Sequence, residues 1–313
     1  MKKRDVLTLR DLTRADLDEV LSLAAVLKRE RKEGRQRPLL AGKKLALVFQ
    51  KPSLRTRATF DIGMTELGGS TLFLGPDEVH LGERETPADC ARVLCRLVDI
   101  ITVRTFAQEI VEEMASFGSV PVINALSDLY HPCQVLADLL TLQECKGRVD
   151  GLKVVFVGDG NNVAHSWLLA AEKLPFRFTL ACPEGFDPDP AIFDSVAAAG
   201  ADVSVTHDPA EAVAGADAIY TDVWASMGQE AEAGSRQDAF AAFQVNRELL
   251  ARARDDAVVM HCLPAHRGEE ITDEVMEGAH SVVFDQAENR LHAQKALMVW
   301  CLGGQDTSQR GES

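Results

Sequence analysis

The segment Lys51-Pro52-Ser53-Leu54-Arg55-Thr56-Arg57 puts two hydroxyls and two guanidiniums within five positions, between the apolar run Leu45-Ala46-Leu47-Val48-Phe49 and a helical pattern from Ala58 to Leu67. A strand, a tight loop and a helix start follow from that order. Helix starts carry unpaired N–H groups and the positive end of the dipole, so the chemistry on offer is anion binding. Glycines and a Gly-Lys-Ser/Thr ending are absent, which argues against a nucleoside triphosphate loop. Arg104 and His131-Pro132-Cys133-Gln134 add a further guanidinium, an imidazole and an amide. A second set, Asn162, Asp222, Ser226 and Cys262, offers amide, carboxylate, hydroxyl and thiol at equivalent strand ends, a further group of candidate ligands. Each has a plain alternative: a solvated basic helix start, a structural His-Pro turn, a buried thiol.

What favours function is where the elements deliver these residues. Thr13-Arg14-Ala15-Asp16 resembles a capping box ahead of a helix from about Arg14 to Glu33. Strands are expected at Thr71–Leu74, Ile100–Val103 and Pro121–Asn124, with helices at Ala88–Val98, Gln108–Phe117 and Val135–Cys145. A polar loop, Gly75 to Pro87, contains His80 and is long enough to be functional. Strand and helix then alternate again from Lys153–Val157 through Phe176–Ala181, Asp202–Thr206, Ala218–Thr221 and Ala257–Met260 to a last helix over Gln286–Leu302. Arg104, Asp222 and Cys262 all fall at the C-terminal ends of strands, the edge where open α/β sheets bind ligands. The pattern predicts an α/β protein of two Rossmann-like domains with parallel sheets.

The break at Lys146–Gly151 marks the expected hinge. Domains are expected over 1–148 and 149–285, with the last helix, 286–303, completing the first and a flexible polar tail over 304–313. The turn Gly158-Asp159-Gly160-Asn161-Asn162 looks like a dinucleotide fingerprint. It lacks the third glycine, and the next strand ends in Cys182-Pro183 with no acid to hold a ribose hydroxyl, so the fold is kept and the cofactor rejected.

Composition narrows the classes. A chain of 313 residues with 46% hydrophobic content can bury two cores. A formal net charge of −15 argues against nucleic acid and anionic membranes as partners, so the basic residues that matter are local. No apolar run approaches the ~20 residues of a membrane span. Met1-Lys2-Lys3-Arg4 is followed by charge instead of an apolar stretch, which points to a cytoplasmic protein. The seven cysteines show no Cys-x-x-Cys pair and no paired Cys/His spacing, so neither a disulfide framework nor a metal cluster is expected.

Taken together, Ser53 through Arg57, Arg104, His131 through Gln134, Gly158 through Asn162, Asp222 through Gly228, His261 through Pro264 and Ala287-Glu288-Asn289-Arg290 resemble the ornithine carbamoyltransferases, collinearly from about Thr8 to Gly303. The resemblance implies that Ser53, Leu54, Arg55, Thr56, Arg104, His131, Gln134 and Arg290 bind carbamoyl phosphate, with His80 reaching from a neighbouring subunit. It implies that Asn162, Asp222, Ser226 and Met227 hold ornithine and that Cys262 and Leu263 line the reaction centre. Arg104, His131 and Cys262 are the implied catalytic groups. Cys262 either orients the amine or takes its proton. A homotrimer, a role in arginine biosynthesis, and no cofactor or metal are further implications. The nearest alternatives are a carbamoyltransferase for a related amine and a non-catalytic amino-acid-binding homologue. Two positions depart from the pattern: many members have Thr where Leu54 stands, leaving its backbone N–H to serve, and many bacterial members have Gln where His80 stands.

Overall fold

The computed structural model describes residues 3–82, 84–225 and 233–303. The chain divides into two compact units, residues 1–140 with the segment from Asn289 onward, and residues 141–288.

Unit 1 is built on strands β1 (Lys44–Phe49), β2 (Ser70–Leu74), β3 (Ile100–Arg104) and β4 (Val122–Leu126). They form one sheet in the order β2-β1-β3-β4, and every pair is parallel. Parallel strands covered by helices on both faces read as continuous apolar runs, and β3, Ile-Ile-Thr-Val-Arg, is buried throughout. Its helices are α1 (Arg14–Lys32), α2 (Leu54–Glu66), the single turn α3 (Pro76–Val79), α4 (Pro87–Leu94), α5 (Gln108–Phe117) and the first part of α6 (Pro132–Lys146). Thr13 caps α1 as the sequence suggests: its hydroxyl accepts from the Asp16 N–H at 3.2 Å, and the Asp16 carboxylate accepts from the Thr13 N–H at 2.9 Å.

Unit 2 repeats the plan. Strands β5 (Lys153–Val157), β6 (Arg177–Ala181), β7 (Val203–Thr206), β8 (Ala218–Thr221) and β9 (Val258–His261) pair in parallel in the order β7-β6-β5-β8-β9. Helices α7 (Asn162–Lys173), α8 (Pro190–Ala198), α9 (Pro209–Val213), α10 (Ala233–Phe240), α11 (Arg247–Leu250) and α12 (Asp273–Met276) follow, then α13 (Val283–Cys301). Phe156 stacks on Tyr220 with ring centroids 5.2 Å apart, and Trp167 meets Tyr220 edge-on at 5.9 Å, so β5, β8 and α7 are locked through their largest side chains.

Two parallel α/β sheets are thus what the strand and helix alternation predicts, with informative differences. The loop Gly75–Pro87 contains the turn α3, begun by Pro76 and closed by His80 at φ +45°. Helix α6 starts at Pro132, not Val135, because proline suits the first helical position; Gln134 therefore sits in its first turn. Helix α4 stops at Leu94, short of Val98, and the short helices α10 to α12 have no periodic apolar pattern long enough to announce them. The tail from residue 304 lies outside the described residues. No helix among the described residues is long and apolar enough to cross a membrane.

Candidate active site

In each unit the strand order reverses once, between β1 and β3 in unit 1 and between β5 and β8 in unit 2. Loops leaving the C-terminal ends of such strand pairs diverge and leave a crevice, the preferred ligand position in open α/β sheets. Both crevices carry the polar residues singled out in the sequence.

In unit 1, Ser53 is the N-cap of α2, its hydroxyl accepting from the Thr56 N–H at 3.2 Å. Leu54, the first residue of α2, is 81% exposed, so its side chain has no packing role within the unit. Arg104 ends β3, where the register against β4 shifts between Val103 and Arg104; a bulge of this kind re-aims the side chain that follows it. Gln50 ties the two strand ends together: its N–H donates to the Arg104 carbonyl at 2.8 Å and its side-chain oxygen accepts from the Thr105 hydroxyl. Arg290, from α13, is buried and donates to the Thr56 hydroxyl at 2.9 Å.

These guanidiniums act on one another. Burial, then Arg290 and Arg55, lowers Arg104 to about 10, still charged at neutral pH. His131, fully inside, is held well below the usual imidazole range by burial first and then by Arg290, Arg104 and Arg55. It is a neutral imidazole amid three cations. Gln134 donates its amide nitrogen to Asp138 at 2.8 Å, which leaves its carbonyl oxygen as the acceptor. That oxygen and Arg104 Nε are buried without a hydrogen-bond partner among the described residues.

In unit 2, Asn161 caps α7, its oxygen accepting from the N–H groups of Val163 and Ala164 at 2.9 and 3.2 Å. Its amide nitrogen donates to Asp222 Oδ2 at 2.8 Å, joining the loops after β5 and β8 across the crevice. Asp222 Oδ1 accepts from Cys262 Sγ at 2.8 Å and from the Val223 N–H at 2.8 Å. Asn162, beside the cap, starts α7 and is half-buried. Leu263 adopts φ +57°, a strained region for a branched side chain. Its N–H donates to His261 Nδ1 at 2.9 Å, so the opposite nitrogen carries the proton and meets Glu270 at 2.9 Å, both groups fully buried. The Cys262-Leu263 backbone is therefore held from beneath by a histidine–glutamate pair.

Unit 1 thus brings together Ser53, Thr56, Arg55, Arg104, His131, Gln134 and Arg290, and unit 2 brings together Asn162, Asp222, Cys262 and Leu263. His80 stands exposed at the end of α3. Ser226 and Met227 lie outside the described residues. Sequence reasoning did not single out Asn161 or Asp138 as supports, although an Asn between a strand and a helix start is a recognisable cap. It also missed the largely buried pair of Asp159 and Arg236, 2.8 Å apart, which has no local sequence signal because its members are far apart in the chain.

Each unit is a parallel α/β sheet with a polar edge, one gathering guanidiniums, an imidazole and an amide and the other a carboxylate, amides and a thiol; its family and relatives make the protein a group transferase. Residues 4–144 match the family described as aspartate/ornithine carbamoyltransferase, carbamoyl-P binding domain, and residues 150–301 match the corresponding Asp/Orn binding domain. The chain belongs to the aspartate/ornithine carbamoyltransferase family. It is 54% identical over 305 residues to an ornithine carbamoyltransferase of Thermococcus kodakarensis, with 96% of this chain and 97% of the relative covered. An anabolic ornithine carbamoyltransferase of Pyrococcus furiosus is 51% identical over 305 residues, covering 96% of this chain and 97% of the relative. The solved structure of ornithine carbamoyltransferase from Pyrococcus furiosus superposes with a TM-score of 0.93 at 50% identity, covering 97% of this chain and 98% of the other.

Proposed function

We infer that this chain transfers the carbamoyl group of carbamoyl phosphate to the δ-amine of L-ornithine, giving L-citrulline and phosphate. The observation that carries the reading is the neutral His131 enclosed by Arg55, Arg104 and Arg290, in a chain about half identical to ornithine carbamoyltransferases over nearly its whole length.

The chemistry divides by unit. Residues 1–148, with 286–303, take carbamoyl phosphate; residues 149–285 take ornithine. The phosphate sits on the N–H groups at the start of α2, with Ser53, Leu54, Arg55 and Thr56 around it and Arg290 steadied by the Thr56 hydroxyl. Arg104 and His131 polarise the carbamoyl oxygen. A neutral imidazole suits this task, because it donates a hydrogen bond without adding a fourth positive charge. Gln134 accepts from the carbamoyl amide, since its own NH2 is committed to Asp138. The amine nitrogen forms a bond to the carbamoyl carbon, the bond to the phosphate oxygen breaks, and the nitrogen loses a proton. Arg55 and Arg104 offset the charge gathering on the leaving phosphate. Asp222, Asn162, Ser226 and Met227 hold the amino-acid end, and Cys262, already donating to Asp222, orients the amine or relays its proton.

The protein works in the cytoplasm, in arginine biosynthesis, as a homotrimer in which His80 reaches a neighbouring phosphate site; the last point rests on the exposure of His80 and the polar loop around it. Light scattering reads the trimer. The central test is citrulline formation from carbamoyl phosphate and ornithine. Faster turnover with putrescine, aspartate or N-acetylornithine would assign another branch, and no turnover with any amine would make the chain a binding homologue.

A further inference from the structure

A second set of ligating side chains stands at the same sheet edge of unit 2, away from Cys262. Cys182 follows β6 and His207 follows β7; the two strands pair in parallel with Ala181 opposite Thr206, so these residues occupy equivalent positions on neighbouring strand ends. Asp187 arrives from the loop after β6. Cys182 Sγ and Asp187 Oδ1 are 3.9 Å apart, His207 Nε2 and Asp187 Oδ1 are 3.9 Å apart, and all three ligand atoms lie within 4.8 Å of one another. The ligand atoms of a tetrahedral zinc ion stand roughly 3.3–3.6 Å apart, given its bond lengths to sulfur, nitrogen and oxygen. A closure of up to roughly 1.5 Å on separations that are all within 4.8 Å, from a carboxylate and an imidazole that are half exposed, reaches that geometry.

The second observation is the state of the histidine. His207 Nδ1 lies 2.8 Å from the Cys182 carbonyl, an acceptor, so Nδ1 donates there and Nε2 is the ring nitrogen turned toward Asp187. Donation of the other ring N–H to a backbone carbonyl is the usual outer-shell support of a metal-bound histidine. The competing clusters lack this freedom. His261, grouped with Asp222 and Cys262, has both ring nitrogens engaged, by the Leu263 N–H and by Glu270. Glu270, grouped with His266 and Glu269, has Oε1 shared between His261 and the His266 N–H, and only its Oε2 is open among the described residues.

We propose that Cys182, Asp187 and His207 bind one zinc ion, with water completing the coordination, and that the ion clamps the 183–189 loop onto the loop carrying Asn161 and Asn162. The clamp has a visible lever. A Cβ on Gly160 would lie 2.4 Å from the Pro188 nitrogen and 2.5 Å from the Asp187 carbonyl carbon, and the Gly160 N–H donates to the Phe186 carbonyl at 2.9 Å. The backbone of Asp187 thus rests directly on the turn that aims Asn161 at Asp222. On binding, the Cys182 thiol gives its proton to solvent and its sulfur becomes a thiolate ligand.

The test is metal titration of the full-length, untagged protein: Zn2+ under chelator competition, and Co2+ to report thiolate-to-metal absorption. We expect one tight equivalent and a thiolate band in the wild type and in C262S. D187N and H207A change exposed positions and should weaken binding by more than the roughly 10–100-fold that loss of an outer-shell partner costs. C182S should abolish the band. A wild type without a thiolate band, a band that survives in C182S and vanishes in C262S, or affinity unchanged in H207A would each overturn the site. Slower amide exchange over residues 158–162 on adding Zn2+, absent in H207A, is the expected sign of the clamp; unchanged exchange with metal bound would remove it.

Discussion

The two sheets use one backbone device for opposite electrostatic ends. Each is parallel, each reverses strand order once, and each places its polar residues on the two loops that leave that reversal and on the adjoining strand end. At the edge of unit 1 the charge is cationic: Arg104 is lowered to about 10 by burial and by Arg290 and Arg55, with no carboxylate among the causes. At the edge of unit 2 an acid dominates. Asp222 is clasped by an amide, a thiol and a backbone N–H, and Asp159 nearby is raised by burial despite its contact with Arg236. Topology therefore sets where a ligand goes, and a handful of side chains sets its sign. Although the chain carries a net charge of −15, three guanidiniums are gathered at one crevice.

The sharpest way to break this contrast is to remove the cation at the end of β3. Arg104→Leu should lower kcat by orders of magnitude, since a preorganised donor at a developing charge is worth about 3–4 kcal/mol. Steady-state kinetics giving near wild-type turnover would remove Arg104 from the reaction centre. The matching change in unit 2 is Asp222→Asn. It removes a charge and also turns an acceptor toward the Asn161 amide nitrogen into a competing donor. Losing one partner of a buried charged hydrogen bond costs about 2–5 kcal/mol. The KM for ornithine should therefore rise ~30-fold or more while that for carbamoyl phosphate barely moves. An equal rise in both would mean that the two edges do not bind separate substrates.

How much of this contrast could be read from the chain depends on its range in sequence. The Ser53-to-Arg57 helix start, the strand-end Arg104 and the Asn161-Asn162 turn are local patterns, and local patterns fix caps and strand ends. The parallel α/β class followed from the same alternation. What stayed hidden needed pairing across the fold. The bulge that aims Arg104 depends on the register of β3 against β4, and the Asp159–Arg236 pair joins a turn to a helix with no apolar period of its own. The proposed Cys182, Asp187 and His207 site escaped for the same reason: its spacing of 5 and 20 residues follows the strand order, not a zinc motif.

Nucleophile chemistry sharpens the comparison by pH. A free primary amine such as the ornithine δ-group titrates near ~10.4, and only its neutral form attacks. Because His131 is already neutral through the range from pH 6 to pH 8, it contributes no inflection there. At subsaturating ornithine, kcat/KM should rise by up to about tenfold per pH unit over that range. A profile that is flat or falling would contradict amine attack, and a step near ~6.5 that disappears in His131→Asn would show that His131 titrates after all.

The smallest effect is on stability, and it tests the cationic crevice without any substrate. In the unfolded chain His131 takes a proton near pH ~6.5, whereas in the folded protein burial and the guanidiniums hold it neutral well below that. Between those two values the unfolded state binds more protons than the native state, so stability falls as pH falls and is regained above about 6.5. One group of this kind removes at most about 1.4 kcal/mol between pH ~7.5 and pH ~5.5. His131→Asn has no such group, so urea unfolding should show the wild type losing up to about 1.4 kcal/mol more than the variant across that interval. The two losing equally would mean that His131 is protonated inside the fold, and a protonated imidazole beside Arg55, Arg104 and Arg290 would require an anion held in that crevice to balance it.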